Sequence, residues 1–130
     1  MKIAKEIPEI DLVVGGHTHS FLYTGNPPSN DVPTGEYPTL ITQDGGKIVP
    51  VVQAFWGTKY LGYMKLNFSK DGEMTSWDNT WNGEKTPILL DGAYEQGMIT
   101  LLSFYWMHVL RGSRRINYII FFRSMDFAED

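Results

Sequence analysis

Cysteine is absent from this 130-residue chain, which therefore holds neither a disulfide framework nor a thiolate metal site. An excess of basic residues is missing too. Eleven Lys and Arg stand against 15 Asp and Glu, and a net charge of −4 gives no reason to expect a nucleic-acid partner, which usually demands a basic face. No segment reaches the roughly 20 consecutive apolar residues of a membrane span. The first eight residues, Met1 to Pro8, lack the apolar core of about 7–15 residues that a signal peptide needs. Histidine is scarce, with three in the chain, and two of these stand one residue apart. The remainder, 42% hydrophobic and 20% charged, is the composition of one globular domain or a piece of one.

The two neighbouring histidines close the stretch Asp11-Leu12-Val13-Val14-Gly15-Gly16-His17-Thr18-His19. Leu12 to Val14 is an apolar, β-branched run suited to a strand covered on both faces. Gly15 and Gly16 end it and let the backbone turn sharply or pass close to a ligand. A loop at a strand's carboxyl end is where open α/β sheets bind ligands. Neutral imidazole is the commonest side-chain metal ligand, so His17 and His19 are candidates for half of a metal site. The same pair can equally be solvated or hydrogen-bonded locally, and spacing alone does not choose.

Before this stretch, Lys2 to Ile7 reads as the end of an amphipathic helix with Ile3, Ala4 and Ile7 on its apolar face, stopped by Pro8. After it, Phe21 to Tyr37 reads as a long loop dense in turn formers, its start pinned to the core by Phe21, Leu22 and Tyr23. Strands follow at Thr39–Thr42 and Ile48–Ala54, joined by the turn Asp44-Gly45-Gly46, with Pro50 favouring an edge or strand-start position. Tyr60–Ser69 alternates cleanly, and Lys70-Asp71-Gly72-Glu73 turns it into a partner strand over Met74–Trp81. Gln53, Phe55, Trp56 and Lys59 lie at a strand end, where layered folds carry function, although aromatic residues more often pack in a core.

Gly16-His17-Thr18-His19 resembles the last metal-binding motif of the calcineurin-like metallophosphoesterases. The longer run from Gly15 to Ser29, GGHTHSFLYTGNPPS, resembles the 5′-nucleotidase family, specifically the animal ecto-5′-nucleotidases and related salivary apyrases. The likeness continues through Val32–Pro38, Lys47–Ala54 and Lys59–Tyr63, and fades after Pro87-Ile88-Leu89-Leu90. It implies an α/β fold: part of an αββα metallophosphatase sandwich, mainly antiparallel strands here. Residues 1–90 would be the C-terminal portion of that domain, and 91–130 an unmatched apolar tail with a helix as one option.

The resemblance implies a metal-dependent 5′-nucleotidase that hydrolyses nucleoside 5′-monophosphates to nucleoside and phosphate. It assigns His17 to one divalent metal and His19 to a second, with zinc the favoured ion of a two-metal site in the complete protein. The other family motifs, Asp-x-His-Gly, Gly-Asp-x-x-Asp and Gly-Asn-His-Glu, are absent, and Asp11 stands at the wrong end of its strand to help. The expectation is a fragment, inactive alone; a non-catalytic binding or interaction protein retaining a weak metal-binding loop is the alternative. The family further implies an AMP-like nucleotide as substrate, an extracellular or cell-surface location and frequent dimerisation.

From Asp91 the composition shifts. Proline does not recur, and Met98 to Leu110 is almost wholly apolar before Arg111-Gly112-Ser113-Arg114-Arg115. A C terminus altered by splicing or intron read-through, a membrane-surface anchor and a packed helix all remain open. Glu95, Asp126, Glu129 and Asp130 count against the anchor.

Overall fold

The computed structural model describes residues 1–90, together with the backbone of two strands in the tail, Met107–Arg111 and Ile116–Phe122. The one helix among the described residues, α1 (Lys2–Glu6), is a little over a turn long. It stops because Pro8 follows Ile7 and drives it out of the helical region, to φ −107° and ψ 106°. Only Ala4 of the expected apolar face is buried; Ile3 is 60% exposed and Ile7 42% exposed. A helix this short presents a single side chain to the sheet beneath it. The Gln43 carboxamide satisfies its last carbonyls, donating to Ala4 O at 2.9 Å and Ile7 O at 2.7 Å. No helix among the described residues is long and apolar enough to cross a membrane.

Three strands form the first sheet: β1 (Val13–Val14), β2 (Thr39–Thr42) and β3 (Ile48–Val52), in the order β1-β3-β2. β1 runs parallel to β3, with Val13 opposite Val51, and β2 runs antiparallel to it. Pro50 thus lies within the central strand, not at an edge. The reason is the shortness of β1. Gly15 N–H donates to Val52 O at 2.7 Å, so the even-numbered polar groups of β3 face β1. The parallel pairing begins only at Val51, and the N–H that Pro50 lacks falls where no partner strand waits.

The second sheet is built on β4 (Tyr60–Phe68), flanked by β5 (Met74–Asp78) and β8 (Ile88–Leu89). Between them, β6 (Thr80–Trp81) and β7 (Glu84–Lys85) form a small hairpin. Its turn residues Asn82 and Gly83, at φ 50° and 84°, are the pair that a two-residue hairpin turn favours. The expected single strand over Met74–Trp81 is broken at Asn79, because the Asp78 carboxylate accepts the Thr80 N–H at 2.9 Å and its hydroxyl at 2.7 Å. In the tail, β9 (Met107–Arg111) and β10 (Ile116–Phe122) are antiparallel, and β10 pairs along the length of β4. The helix considered for the tail otherwise falls outside the described residues.

Alternation along β4 sorts its side chains into two clusters. Tyr60, Met64 and Leu66 join Phe21, Leu22, Tyr37, Val52 and Ala54; Leu61 and Tyr63 join Ile88 on the other face. The first cluster draws on both sheets, and Phe21 and Leu22 anchor the start of the long loop in it, with Tyr23 packed against it. Tyr37 closes that loop. It is buried, its hydroxyl donating to Tyr63 O at 3.2 Å, while Thr24 Oγ1 accepts its N–H at 3.1 Å.

Candidate functional site

The histidine loop begins where β1 stops pairing. A Cβ on Gly15 would stand 3.2 Å from the Gln53 carboxamide and 3.5 Å from Val52 O, so glycine there permits the close approach of loop to strand. Gly16 has no such role, since a Cβ there meets nothing within 4 Å. Thr18 N–H donates to Gly16 O at 2.7 Å across His17, which sits at φ 66°. That is the rare γ-turn, a costly conformation for a residue with a side chain. His19 is also in the left-handed region, at φ 50°. Two strained residues in three mark a loop over-determined by its surroundings.

Gln53 supplies much of that determination. Assigned by its neighbours, the carboxamide turns its oxygen toward the loop, accepting the His19 N–H at 3.1 Å and the Ser20 N–H at 2.8 Å. Its nitrogen donates to Thr18 Oγ1 at 3.0 Å, and Thr18 Oγ1 lies 3.0 Å from Ser20 Oγ. Gln53 is itself buried at the end of β3.

The second contact comes from the loop between β3 and β4, where Phe55, Gly57 and Thr58 all have positive φ. Trp56 lies against His19, ring centroids 5.6 Å apart and planes 20° from parallel. Behind it, Phe55 packs on Phe21 and Tyr60, with centroids 5.5 and 6.0 Å away. Of the four residues noted at this strand end, Gln53 and Trp56 therefore touch the histidine loop, while Phe55 packs on the core.

Lys59 serves elsewhere. Its ammonium is 2.5 Å from Asp31 Oδ2 and 5.8 Å from the Tyr60 ring centroid. Asp31 Oδ2 also accepts the Tyr60 hydroxyl at 2.6 Å and the Ser29 hydroxyl at 2.8 Å. The hydrogen bonds from Lys59 and Tyr60 outweigh a small desolvation cost and hold the Asp31 carboxyl down at about 2. Burial first, and the bond to Asp31 second, push the Tyr60 phenol up to about 12. Sequence spacing gave no signal for this cluster, because Ser29 and Asp31 lie in the long loop and Lys59 and Tyr60 at the start of β4, with Tyr60 29 positions beyond Asp31.

Among the described residues no set of three or more His, Cys, Asp and Glu gathers to hold a metal. Asp11, at the amino end of β1, is paired with Lys47 at 2.9 Å and points to the opposite end of the strand from the histidines. His108 lies in β9, in the other sheet. His17 and His19 thus stand as two imidazole donors on one braced loop.

No family model matches the chain. It is similar to the 5′-nucleotidase of Rattus norvegicus, 50% identical over 95 residues that make up 72% of this chain and 15% of that protein. It is 47% identical over 90 residues to the snake venom 5′-nucleotidase of Macrovipera lebetinus, covering 69% of this chain and 21% of the relative. With Protein 5NUC of Lutzomyia longipalpis it shares 40% identity over 117 residues, 88% of this chain and 19% of the relative. A match of that length within 130 residues includes His17 and His19 and runs past residue 90.

Proposed function

The chain belongs to the 5′-nucleotidase family across about 70% of its length, and on that premise we propose that its histidine loop is part of a two-metal phosphatase centre. The reaction is hydrolysis of a nucleoside 5′-monophosphate, AMP or a close relative, to nucleoside and phosphate. The chain spans about 15% of the length of the 5′-nucleotidases it matches, so this activity is proposed for a polypeptide of their full length. The proposed setting is extracellular or at the cell surface, a reading supported by relatives named for snake venom.

The observation that carries the proposal is the pair His17 and His19 on a strained, braced loop at the carboxyl end of a strand. Their donor chemistry fits a divalent ion of zinc's type, which takes imidazole nitrogen readily. They would supply one ligand to each of two ions and leave the remaining positions, carboxylates among them, to other segments. When bound, such a pair of ions stabilises the phosphoryl oxygens and generates a nucleophile from water. The chain's own work is orientation. The γ-turn at His17 and the left-handed His19 set the backbone from which both side chains leave, and Trp56 covers one face of the His19 ring. For the complete domain we propose the αββα sandwich, supported by the core cluster in which side chains of β3 and β4 meet.

The test is phosphate release from AMP by a full-length family polypeptide carrying these residues, with His17→Ala and His19→Ala variants. Each substitution is expected to remove most of the release. Undiminished hydrolysis in both would overturn the assignment.

A further inference from the structure

We infer that Gln53 and Trp56 are positioning residues for the histidine loop, Gln53 fixing its backbone and Trp56 its His19 ring. The inference rests on the reading of His17 and His19 as metal ligands, and adds two residues that hold them in place.

A loop with φ 66° at His17 and 50° at His19 lies away from its local minimum, and something must hold it there. Gln53 is the group placed to do so. It is buried, it directly follows β3, and one carboxamide reaches three successive residues: the Thr18 hydroxyl and the His19 and Ser20 N–H groups. Those two N–H groups flank the His19 Cα, so their anchoring sets the direction in which the imidazole leaves the backbone. Relaxation of the loop would give up both bonds together.

Trp56 acts on the ring itself. Its near-parallel contact at 5.6 Å limits rotation of the imidazole about its side-chain bonds. Trp56 is 46% exposed, so burial in the core does not explain its position. The backbone of its loop is held by Lys59 N–H donating to Trp56 O at 3.2 Å, and Lys59 in turn is tied to Asp31. The chain of support therefore runs from Asp31 through Lys59 and Trp56 to His19. Groups that orient a metal-binding histidine in this way commonly change metal affinity by about 10–100-fold when removed.

The experiment uses this chain, zinc alone as the probe, and two readouts: calorimetric zinc titration, and amide hydrogen exchange of His19 and Ser20 without metal. Gln53→Met keeps the size of the side chain and removes the acceptor. It is expected to weaken zinc binding about tenfold or more and to speed exchange at His19 and Ser20, with β4 amides unchanged. Trp56→Ala is expected to weaken binding and Trp56→Phe, which keeps a ring, to restore it, a rescue that a general packing role would not single out. Should Gln53→Met fail to fold, Thr18→Val, which removes a bond from the loop side, carries the same expectation in a milder form. Wild-type binding and wild-type exchange in these variants would overturn the inference. If a His17→Ala/His19→Ala double variant binds zinc as the wild type does, the metal reading fails separately. Exchange then decides: faster exchange at His19 and Ser20 upholds Gln53 as the loop's anchor, and unchanged exchange overturns it.

Discussion

The Tyr60 hydroxyl donates to Asp31 Oδ2 at 2.6 Å, joining the first residue of β4 to the middle of the long loop. With Lys59 and Ser29 on the same oxygen, this contact ties the loop across the top of the core. It also leads us to expect a pH dependence of stability at both ends of the scale.

At the acid end the folded carboxyl of Asp31 lies at about 2, below its ordinary 3.8. A depressed value means that the folded state favours the ionised form, so the contribution is present above pH 3.8 and is lost as pH falls toward 2. Urea midpoints measured from pH 5 downward should fall through this window, and Asp31→Asn should flatten the fall. At the alkaline end Tyr60 is raised from 10.0 to about 12, so the folded state favours the neutral phenol. Stability should decline as pH rises through that interval, and Tyr60→Phe should remove that share of the decline.

Tyr37 offers a test of the buried loop end. Its hydroxyl donates to Tyr63 O, an oxygen that the Thr86 hydroxyl also approaches at 3.2 Å. Tyr37→Phe removes that one bond and keeps the ring, and should cost about 1 kcal/mol, the usual net worth of a hydrogen bond. Tyr37→Ala leaves a cavity in the cluster around Phe21 and should cost about 3–5 kcal/mol. Urea denaturation of the two variants separates the bond from the packing.

The paired glycines should respond differently to the same change. Gly16→Ala adds a methyl to open space and should stay within about 0.5 kcal/mol of wild type. Gly15→Ala places its methyl 3.2 Å from the Gln53 carboxamide, and Gln53 must yield for it to fit. Zinc titration of the two variants should show weakened binding in Gly15→Ala and little change in Gly16→Ala.

For catalysis the expectation is loss at the level of the isolated chain. His17 and His19 can give one ligand to each ion, and no third His, Cys, Asp or Glu among the described residues joins them. Positioning of a reactant can be worth about 7–11 kcal/mol of a barrier, and two ligands cannot supply it. The 130-residue chain should release no phosphate from AMP beyond that caused by zinc in buffer. Robust, chelator-sensitive hydrolysis by it would show that this chain holds a complete centre.

Periodicity and turn chemistry made much of the framework legible. The alternation of Tyr60–Phe68, the glycine turns at Gly46 and Gly72 and the buried Phe21-Leu22 anchor all stand in the structure as the sequence reads. Local rules failed where a distant partner decided. Pro50 sits in a central strand because β1 is too short to need its N–H. Met74–Trp81 breaks because Asp78 turns its carboxylate back on Thr80. The sequence by itself determined the pair of imidazoles and the glycine that lets them approach β3, since residue identity and spacing are local properties. Only the tertiary structure decided that Gln53 would grip the loop, that Trp56 would lie on His19, and that Asp31 would meet Tyr60. Those contacts join residues 29 to 37 positions apart, and no local pattern encodes which distant side chains the packing of two sheets will bring together.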